Sequence, residues 1–379
     1  QWERLPILIK NIFGVDLDMQ AIEIARLNLL LRSLAKRETL PSLADNIRQG
    51  NSLISGTKEE LRGYFGNNWR EKKPFNWEQK FKDIVAGGGF DVVIGNPPYG
   101  AEFDEQDRTY IENRYSYSRD NKNSAMVFIE KGLSLTKEGG FFSFIIPKSL
   151  AFNQKCANAR QLILNKLGVA CDASKAFKEV LLEQMIIVVS QKFSQQPCYE
   201  GTSFDKDRER ERVPVPKKIS TTTGSILMGI TEKELEIFHK LTSAKLFMKD
   251  ISKTARGLPF QKHVSKEPHG IPVYRGDHIA RYTLYETTET LPNTALARAN
   301  KKVSFLRQPK ILSQRIIAHV LHPSDHIILM STLDKDNVLT LDTVENTVLT
   351  DNRFAYSFIT GLLNSRLWSW YAYRFIFSK

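Results

Sequence analysis

Residues 90–99 join a short apolar run to Asn96-Pro97-Pro98-Tyr99, and these residue types suit the binding of an aromatic amine. The run Phe90–Gly95 predicts a buried parallel strand, because it is short, apolar and followed by turn residues. The two prolines fix the backbone and remove two donors, so carbonyl groups at the strand end stay available as acceptors. The Asn96 side chain adds a second acceptor, and Tyr99 adds a flat ring for stacking. An ordinary proline-rich turn with a buried tyrosine is the alternative interpretation.

The overall composition indicates a globular protein with a basic surface. The chain has 379 residues, of which 41% are hydrophobic and 25% charged, and this length predicts about two domains. No apolar run approaches the roughly 20 residues of a membrane helix, so no membrane association is expected. The net charge of +12 favours a polyanionic partner, and the excess of basic residues is larger after residue 195 than before it. A generic solvated basic surface is the alternative.

Cysteine and histidine usage argues against a metal site. Cys156, Cys171 and Cys198 lack metal-ligand spacing and predict free thiols in a reducing, cytoplasmic compartment. The histidines form no ligand pair at helical spacing, so no metal is predicted. No signal peptide is recognisable before the first apolar segment.

Strands and helices alternate over residues 1–195, which predicts an α/β domain with a parallel sheet and a site at the carboxyl ends of its strands. The predicted strands are a strand-like segment at 7–9, a strand that ends at Asp16, and strands at 47–53, 90–95, 141–147 and 180–192. The predicted helices cover 19–35, 124–136 and 153–167, the second of them ended by Gly139-Gly140.

The composition changes after residue 195. Residues 196–225 are charged and rich in Ser, Thr and Pro, which predicts a linker. Residues 226–379 lose the alternation and predict a mixed α+β domain, with an amphipathic helix at 231–241 and one long C-terminal helix at 355–373.

Three motifs lie in order on the predicted sheet, at residues 12–18, 50–53 and 91–99, with Phe-Phe-Ser-Phe-Ile-Ile-Pro-Lys-Ser behind them at 141–149. This order resembles the adenine-N6 DNA methyltransferases of the type IIG restriction–modification family, which carry a TaqI-like C-terminal specificity domain. The resemblance covers nearly the whole chain. It implies a Rossmann-like methyltransferase sheet over 1–195, a target-recognition domain over 226–379, S-adenosylmethionine as cofactor and double-stranded DNA as partner.

The resemblance also implies direct methyl transfer to the N6 amine of a flipped adenine. Asn96 and the Pro97 carbonyl would accept the two amine hydrogens, in the catalytic element that Pro98 and Tyr99 complete. Tyr99 would stack on one face of the base and Phe177 on the other. For Phe177, a core position before a strand is the alternative.

The cofactor residues follow from the same resemblance. Asp16 would bind the ribose hydroxyls, and Leu17 would pack on the cofactor adenine unless it belongs to the core. Asn51, through its carbonyl oxygen, and the Ser52 backbone would bind the adenine edge, while Asn96 also borders the cofactor. Relatives carry their Gly-rich loop upstream of the segment that matches Asp16. We therefore expect this chain to lack the first strand and that loop, to bind the cofactor weakly or not at all by itself, and to adjoin a nuclease region of the same parent protein.

Segments 256–260, 272–279 and 309–315 resemble the target-recognition domain of that family. Basic residues near Gly turns suit phosphate contacts, and about half of eight candidates are expected to touch DNA: Arg256, Lys262, Arg275, Arg281, Lys301, Lys302, Arg307 and Arg315. Two other functions stay open. One is a non-catalytic DNA-binding fragment or specificity module, and the other is a protein or RNA methyltransferase with the same Asn-Pro-Pro-Tyr chemistry.

Overall fold

The computed structural model divides the chain into two compact units, Gln1–Ile230 and Thr231–Lys379. It describes residues 4–33, 41–100, 103–117, 123–174, 183–205, 208–244, 246–267, 269–292, 294, 300–315, 317–320 and 326–376. The unit boundary lies at residue 230, so the predicted boundaries at 195 and 226 are replaced by a single one.

The first unit begins with a helix where the sequence predicted a strand-like segment. Helix α1 (Arg4–Asn11) precedes strand β1 (Gly14–Asp16), helix α2 (Met19–Ser33) and strand β2 (Ile47–Gln49), and β1 and β2 pair in parallel. The apolar run at 7–9 lies in this helix, in which Leu8 is the buried residue. Asn46 donates to the carbonyl groups of Ile9 and Ile12 at the end of the helix. Asp18 caps α2 through the Gln20 amide, as predicted.

Further helices and the first strand of the main sheet follow. They are α3 (Lys58–Phe65), α4 (Trp77–Lys80), α5 (Lys82–Ala86), strand β3 (Phe90–Gly95), α6 (Glu105–Arg114) and α7 (Ser124–Leu135). A 3-10 segment, Gly66–Lys72, extends α3. Helix α7 ends at Leu135, and Gly139-Gly140 lies inside the next strand, so the predicted glycine stop is wrong. That strand begins directly after the helix because Thr136 already pairs with Phe90.

The main sheet continues through strands β4 (Thr136–Pro147), β5 (Leu167–Asp172), β6 (Gln184–Val189), β7 (Cys198–Asp205), β8 (Arg208–Glu209) and β9 (Val213–Pro216). Its order is β3-β4-β6-β5-β7-β8, with β9 on β7. The β3–β4 and β5–β7 pairs are parallel, whereas β4–β6 and β5–β6 are antiparallel. The α/β class is therefore as predicted, with a sheet of mixed direction.

Residues 196–225 are not a linker. They supply β7, β8 and β9 together with helix α9 (Lys217–Thr223), and Val213 and Val215 are buried. The remaining helix, α8 (Ala157–Leu164), follows two 3-10 turns at Lys148–Ala151 and Gln154–Cys156 and replaces the longer helix predicted at 153–167. All three cysteines are free thiols, as predicted, and burial raises the pKa of Cys171 to about 12.

The second unit is a mixed α+β structure. Its helices are α10 (Glu232–Thr242), α11 (Met248–Ile251), α12 (Asn300–Leu306), α13 (Tyr356–Leu363) and α14 (Arg366–Tyr371). Thr231 caps the predicted amphipathic helix in a capping box with Glu234. The single C-terminal helix predicted at 355–373 is instead two helices, because Asn364 interrupts the run and Ser365 caps α14.

Short strands form several small sheets in this unit. The strands are β10 (Ser252–Arg256), β11 (Ile271–Tyr274), β12 (Ile279–Ala280), β13 (Thr283–Leu284), β14 (Thr290–Leu291), β15 (Lys310–Gln314), β16 (Ala318–Val320), β17 (His326–Ile328), β18 (Ser331–Asp334), β19 (Leu339–Thr340) and β20 (Val344–Leu349). The largest sheet is antiparallel in the order β10-β20-β15-β18, and a second sheet has the order β14-β11-β19.

No helix in the described ranges has both the length and the apolar character needed to cross a bilayer. Within the same ranges, no group of three or more His, Cys, Asp and Glu side chains is placed to hold a metal ion.

Candidate functional site

Three polar residues predicted for the site lie where consecutive strands end. Asp16 is the last residue of β1, Asn51 lies just after β2, and Asn96 directly follows β3. All three line one cavity of about 720 Å³, which we call the site cavity. Leu17, Ser52, Pro97 and Pro98 line it as well, so the fold brings the predicted cofactor residues and most of the predicted catalytic element together.

Two close contacts explain the glycines that precede Asn51 and Asn96. A Cβ atom on Gly50 would lie 2.6 Å from the Phe75 ring, and one on Gly95 would lie 2.8 Å from the Phe144 ring. Such distances leave no room for a side chain. Glycine at both positions therefore lets each strand end approach an aromatic ring, which sets the position of the polar residue that follows.

Asp16 presents part of its carboxylate to the site cavity. Its Oδ1 atom accepts from the Asp18 backbone amide at 2.8 Å, and among the described residues its Oδ2 atom has no hydrogen-bond partner. The side chain is exposed. Neighbouring Leu17 is 52% exposed, so it belongs to the cavity wall and not to the core.

The side-chain oxygen of Asn51, which was predicted to bind the cofactor adenine, already has a hydrogen-bond partner in the protein. This Oδ1 atom accepts from the Leu53 backbone amide at 3.1 Å, which leaves the Nδ2 donor without a partner among the described residues. Tyrosines fix this loop from behind: the Tyr115 hydroxyl donates to the Leu53 carbonyl at 2.7 Å, and the Tyr110 hydroxyl donates to the Ser55 carbonyl at 2.6 Å. Asn51 is therefore better placed to donate a hydrogen bond than to accept one.

The loop after β3 is fixed at its second proline. The Pro98 carbonyl accepts from the Ser124 hydroxyl at 2.7 Å, at the start of α7. Within the described residues, the Asn96 side chain and the Pro97 carbonyl have no hydrogen-bond partner. Asn96 is exposed and Pro97 is buried, so the two acceptors that the motif predicted are still available.

Tyr99 is half-buried and does not line the site cavity in the part of the chain that the structure describes. Its hydroxyl group donates to the Ile145 carbonyl at 3.1 Å and accepts from Gln184 Nε2 at 3.2 Å. Burial raises the pKa of Tyr99, although the hydrogen bond from Gln184 opposes this shift. The phenol therefore stays protonated, and only the ring faces are left for a substrate. Phe177, the second predicted stacking residue, lies outside the described residues.

A buried ion pair that the sequence analysis did not anticipate lies at the same end of the sheet. Lys148 Nζ is 2.8 Å from the Asp172 carboxylate, and the Lys148 side chain is only 4% exposed. Burial raises the pKa of Asp172, but the adjacent ammonium outweighs it, so the net pKa is lowered. The Lys148 amide also donates to the Glu183 carbonyl, so this residue connects β4 to the ends of β5 and β6. The one feature of the sequence that could have indicated this ion pair is a lysine directly after an apolar strand.

Replacing Lys148 with methionine should destabilise the first unit by about 3–5 kcal/mol at pH 7, because a largely buried carboxylate loses its partner. Asp172 has a lowered pKa when folded, so its stabilisation is present above its unfolded pKa of about 3.9 and is lost as the pH falls through the folded value. The difference in the free energy of unfolding between variant and wild type should therefore become smaller toward pH 3. Urea unfolding at pH 7 and at lower pH measures this, with exposed Lys218→Met as the control. An equal destabilisation at both pH values would contradict the ion-pair explanation.

Strand β3 is far more exposed than its sequence predicted. Val92 is 56% exposed and Ile94 is 76% exposed. In the described residues, β3 pairs only with β4 and β1 only with β2, and both strands line the site cavity. The prediction of a buried strand is therefore wrong for this chain, since an apolar sequence buries a strand only when another element covers it.

The DNA-binding candidates of the second unit fall into two groups. Arg275 and Arg281 already have internal partners: Arg275 Nε lies 2.5 Å from the Glu289 carboxylate, and Arg281 donates to the Asn364 carbonyl at 2.7 Å. The other six side chains form no ion pair within the described ranges, and all are exposed except half-buried Lys302: Arg256, Lys262, Lys301, Lys302, Arg307 and Arg315.

Two family models match this chain. Residues 10–170 match the Eco57I restriction-modification methylase, and residues 271–379 match the TaqI-like C-terminal specificity domain.

Curated relatives are similar over parts of their length. The type II restriction enzyme and methyltransferase RM.Eco57I of Escherichia coli is 31% identical over 156 residues, which is 37% of this chain and 14% of that protein. The putative type II restriction enzyme and methyltransferase RM.MjaORFECS2P of Methanocaldococcus jannaschii is 23% identical over 343 residues, which is 84% of this chain and 28% of that protein. The type II methyltransferase M.VspI of a Vibrio species is 22% identical over 281 residues, which is 72% of this chain and 59% of that protein. The chain spans less than two thirds of each relative.

The fold is also similar to that of a solved structure. The type IIL restriction-modification enzyme MmeI, solved in complex with DNA, superimposes with a TM-score of 0.51 at 11% identity, covering 95% of this chain and 59% of that chain. At this identity the likeness concerns the fold alone.

Proposed function

Residues 10–170 of this chain belong to the Eco57I restriction-modification methylase family and residues 271–379 to the TaqI-like C-terminal specificity domains, as the motifs predicted, and from this premise we propose a site-specific DNA methyltransferase. The chain transfers a methyl group from S-adenosylmethionine to the N6 amine of a flipped adenine, as the modification part of a restriction–modification system. One observation carries this proposal: Asp16, Asn51 and Asn96 come from three separate strand ends and line a single cavity.

The free polar atoms of the cavity fit the proposed cofactor. The Oδ2 atom of Asp16 suits a ribose hydroxyl, because a carboxylate oxygen accepts hydrogen bonds. The Nδ2 atom of Asn51 suits a ring nitrogen of the cofactor adenine, with Ser52 beside it and Leu17 against the ring. S-adenosylmethionine, when bound, supplies a methyl group on a sulfonium and therefore the electrophile for the transfer.

Asn96 and the Pro97 carbonyl provide the chemistry toward the acceptor base. Each accepts one hydrogen of the adenine N6 amine, which directs the nitrogen lone pair toward the methyl group. With the cofactor bound, the amine nitrogen would take the methyl group, the sulfur would leave as the thioether of S-adenosylhomocysteine, and the proton lost from the amine would pass to water. Positioning and electrostatics supply the rate acceleration, so no protein nucleophile takes part. Tyr99, and Phe177 outside the described residues, are the proposed stacking partners of the base.

We also propose that a strand from outside residues 1–379 completes a Rossmann-like sheet between β1 and β3. Three observations support this. Strands β1 and β3 each have an edge with no strand partner among the described residues, the apolar side chains of Val92 and Ile94 are exposed, and both strands line the site cavity. A parallel strand there would satisfy both backbone edges and cover the apolar side chains. Its following loop would bind the methionine part of the cofactor, so residues 1–379 alone would bind the cofactor weakly.

The second unit is proposed to bind duplex DNA through its exposed basic residues. Six candidates form no ion pair in the part of the chain that the structure describes. They are better placed for phosphate contacts than Arg275 and Arg281, whose guanidinium groups have internal partners. A nuclease region elsewhere in the parent protein belongs to the same proposal.

The test compares methyl acceptors. The intact protein that contains these residues is incubated with labelled S-adenosylmethionine and, in parallel, with mixed-sequence duplex DNA, RNA or a protein extract. We expect label in DNA alone, and less label when residues 1–379 replace the intact protein. Label in protein or RNA would favour the other methyltransferase class, and a DNA gel shift without any transfer would favour a binding module.

A further inference from the structure

The Tyr99 hydroxyl group is held from two sides by paired strands. It donates to the carbonyl of Ile145 in β4 and accepts from the side-chain amide of Gln184, the first residue of β6. Strands β4 and β6 are antiparallel neighbours, with Ile145 opposite Ile186. The hydroxyl group of Tyr99, in the loop after β3, is therefore hydrogen-bonded to both β4 and β6.

Gln184 is a polar residue in an apolar setting. It is 6% exposed and precedes the apolar stretch at 185–189, in which Met185, Ile187 and Val189 are buried. Burying an amide is unfavourable unless its donors and acceptors find partners. The Tyr99 hydroxyl is the partner that its Nε2 donor has in this structure.

We propose that Gln184 is a positioning residue that fixes the plane of the Tyr99 ring, and hence the stacking of the target adenine. This inference rests on the proposed function. The phenolic hydrogen and the acceptor lone pair lie near the plane of the ring, so one donated and one accepted hydrogen bond restrict rotation of the Tyr99 ring about its long axis and orient its faces before the base arrives. Such preorganisation favours reaction because less ordering remains at the time of binding.

Gln184→Met removes one of these two hydrogen bonds and keeps the volume of the side chain. The hydroxyl group can still donate to Ile145, so the ring stays in place on average but is less restricted. From the usual net strength of one hydrogen bond, the turnover number for DNA methylation should fall about 3- to 10-fold. The KM for S-adenosylmethionine should not change, since Gln184 does not line the site cavity in the described part of the chain.

A double-mutant cycle separates positioning from general packing. If Gln184 acts through the hydroxyl group, Gln184→Met has no further effect once Tyr99→Phe has removed that group. Additive losses in the double variant would overturn the proposal. The control is Gln191→Met, which makes the same exchange at an exposed position just beyond β6.

A second measurement needs neither DNA nor transfer. In protein labelled with 3-fluorotyrosine, the 19F resonance of Tyr99 is identified by its loss in Tyr99→Phe. We expect Gln184→Met to shift and broaden this resonance, and Gln191→Met to leave it unchanged. An unchanged resonance in Gln184→Met would overturn the role of Gln184 even in an active enzyme. Failure of the wild-type protein to methylate DNA would instead refute the proposed function.

Discussion

Asn96→Ala is expected to lower the turnover number for methyl transfer about 10²- to 10³-fold, with little change in DNA binding. Asn96 has an exposed side chain directly after β3, next to the Pro97 carbonyl, and it has no hydrogen-bond partner among the described residues. Its proposed bond to the amine strengthens as positive charge develops on the nitrogen, so the loss falls mainly on kcat. Single-turnover methylation and a DNA gel shift measure the two effects.

Two further variants sharpen this prediction. Asn96→Asp keeps an acceptor oxygen and should retain more activity than the alanine variant. Asn68→Ala removes an exposed asparagine of the 3-10 segment after α3 and should behave as wild type. An Asn96→Ala protein that retained a tenth or more of the wild-type rate would rule out Asn96 as an acceptor for the amine.

The second large effect concerns the stability of the second unit. Lys310 and Asp334 form an ion pair with both side chains fully buried. Lys310 Nζ also donates to the Val338 carbonyl at 3.0 Å, and Asp334 accepts from the Val338 and Asp336 amides. The pair therefore holds β15, β18 and the turn before β19 together.

Lys310→Met should destabilise this unit by about 3–5 kcal/mol, because the Asp334 carboxylate stays buried without its cation. Adding Asp334→Asn removes the charge but keeps an acceptor for the turn amides, so the double variant should recover at least half of the loss. Urea unfolding of the intact protein measures both, with exposed Lys335→Met as the control. A Lys310→Met protein within about 1 kcal/mol of wild type would contradict this account.

The candidate site was largely predictable because it depends on local order. Asp16, Asn51 and Asn96 each follow a short strand, and the carboxyl ends of parallel strands meet at one edge. The structure places all three around one cavity. The roles assigned to them, and to Phe177, remain predictions.

The sequence-based predictions that were wrong, and the residues that were missed, depend on contacts between residues distant in sequence. The apolar residues at 7–9 suit either a strand or a helix, and they lie in a helix in which Leu8 is the buried residue. Residues 196–225 have a linker-like composition, yet Val213 and Val215 pack in the core. Lys148 is buried against Asp172 of β5 and Gln184 against Tyr99 of the loop after β3, and no local pattern reveals either contact. For Asn51, the turn bond to Leu53 determines which side-chain atom stays free.

The most direct test of the central claim is the identity of the methylated nucleoside. Duplex DNA treated with the intact protein and S-adenosylmethionine is digested to nucleosides and analysed by mass spectrometry, with Asn96→Ala in parallel. We expect N6-methyladenine from the wild-type protein and little or none from the variant. Methylcytosine, or N6-methyladenine at equal levels from both proteins, would contradict it.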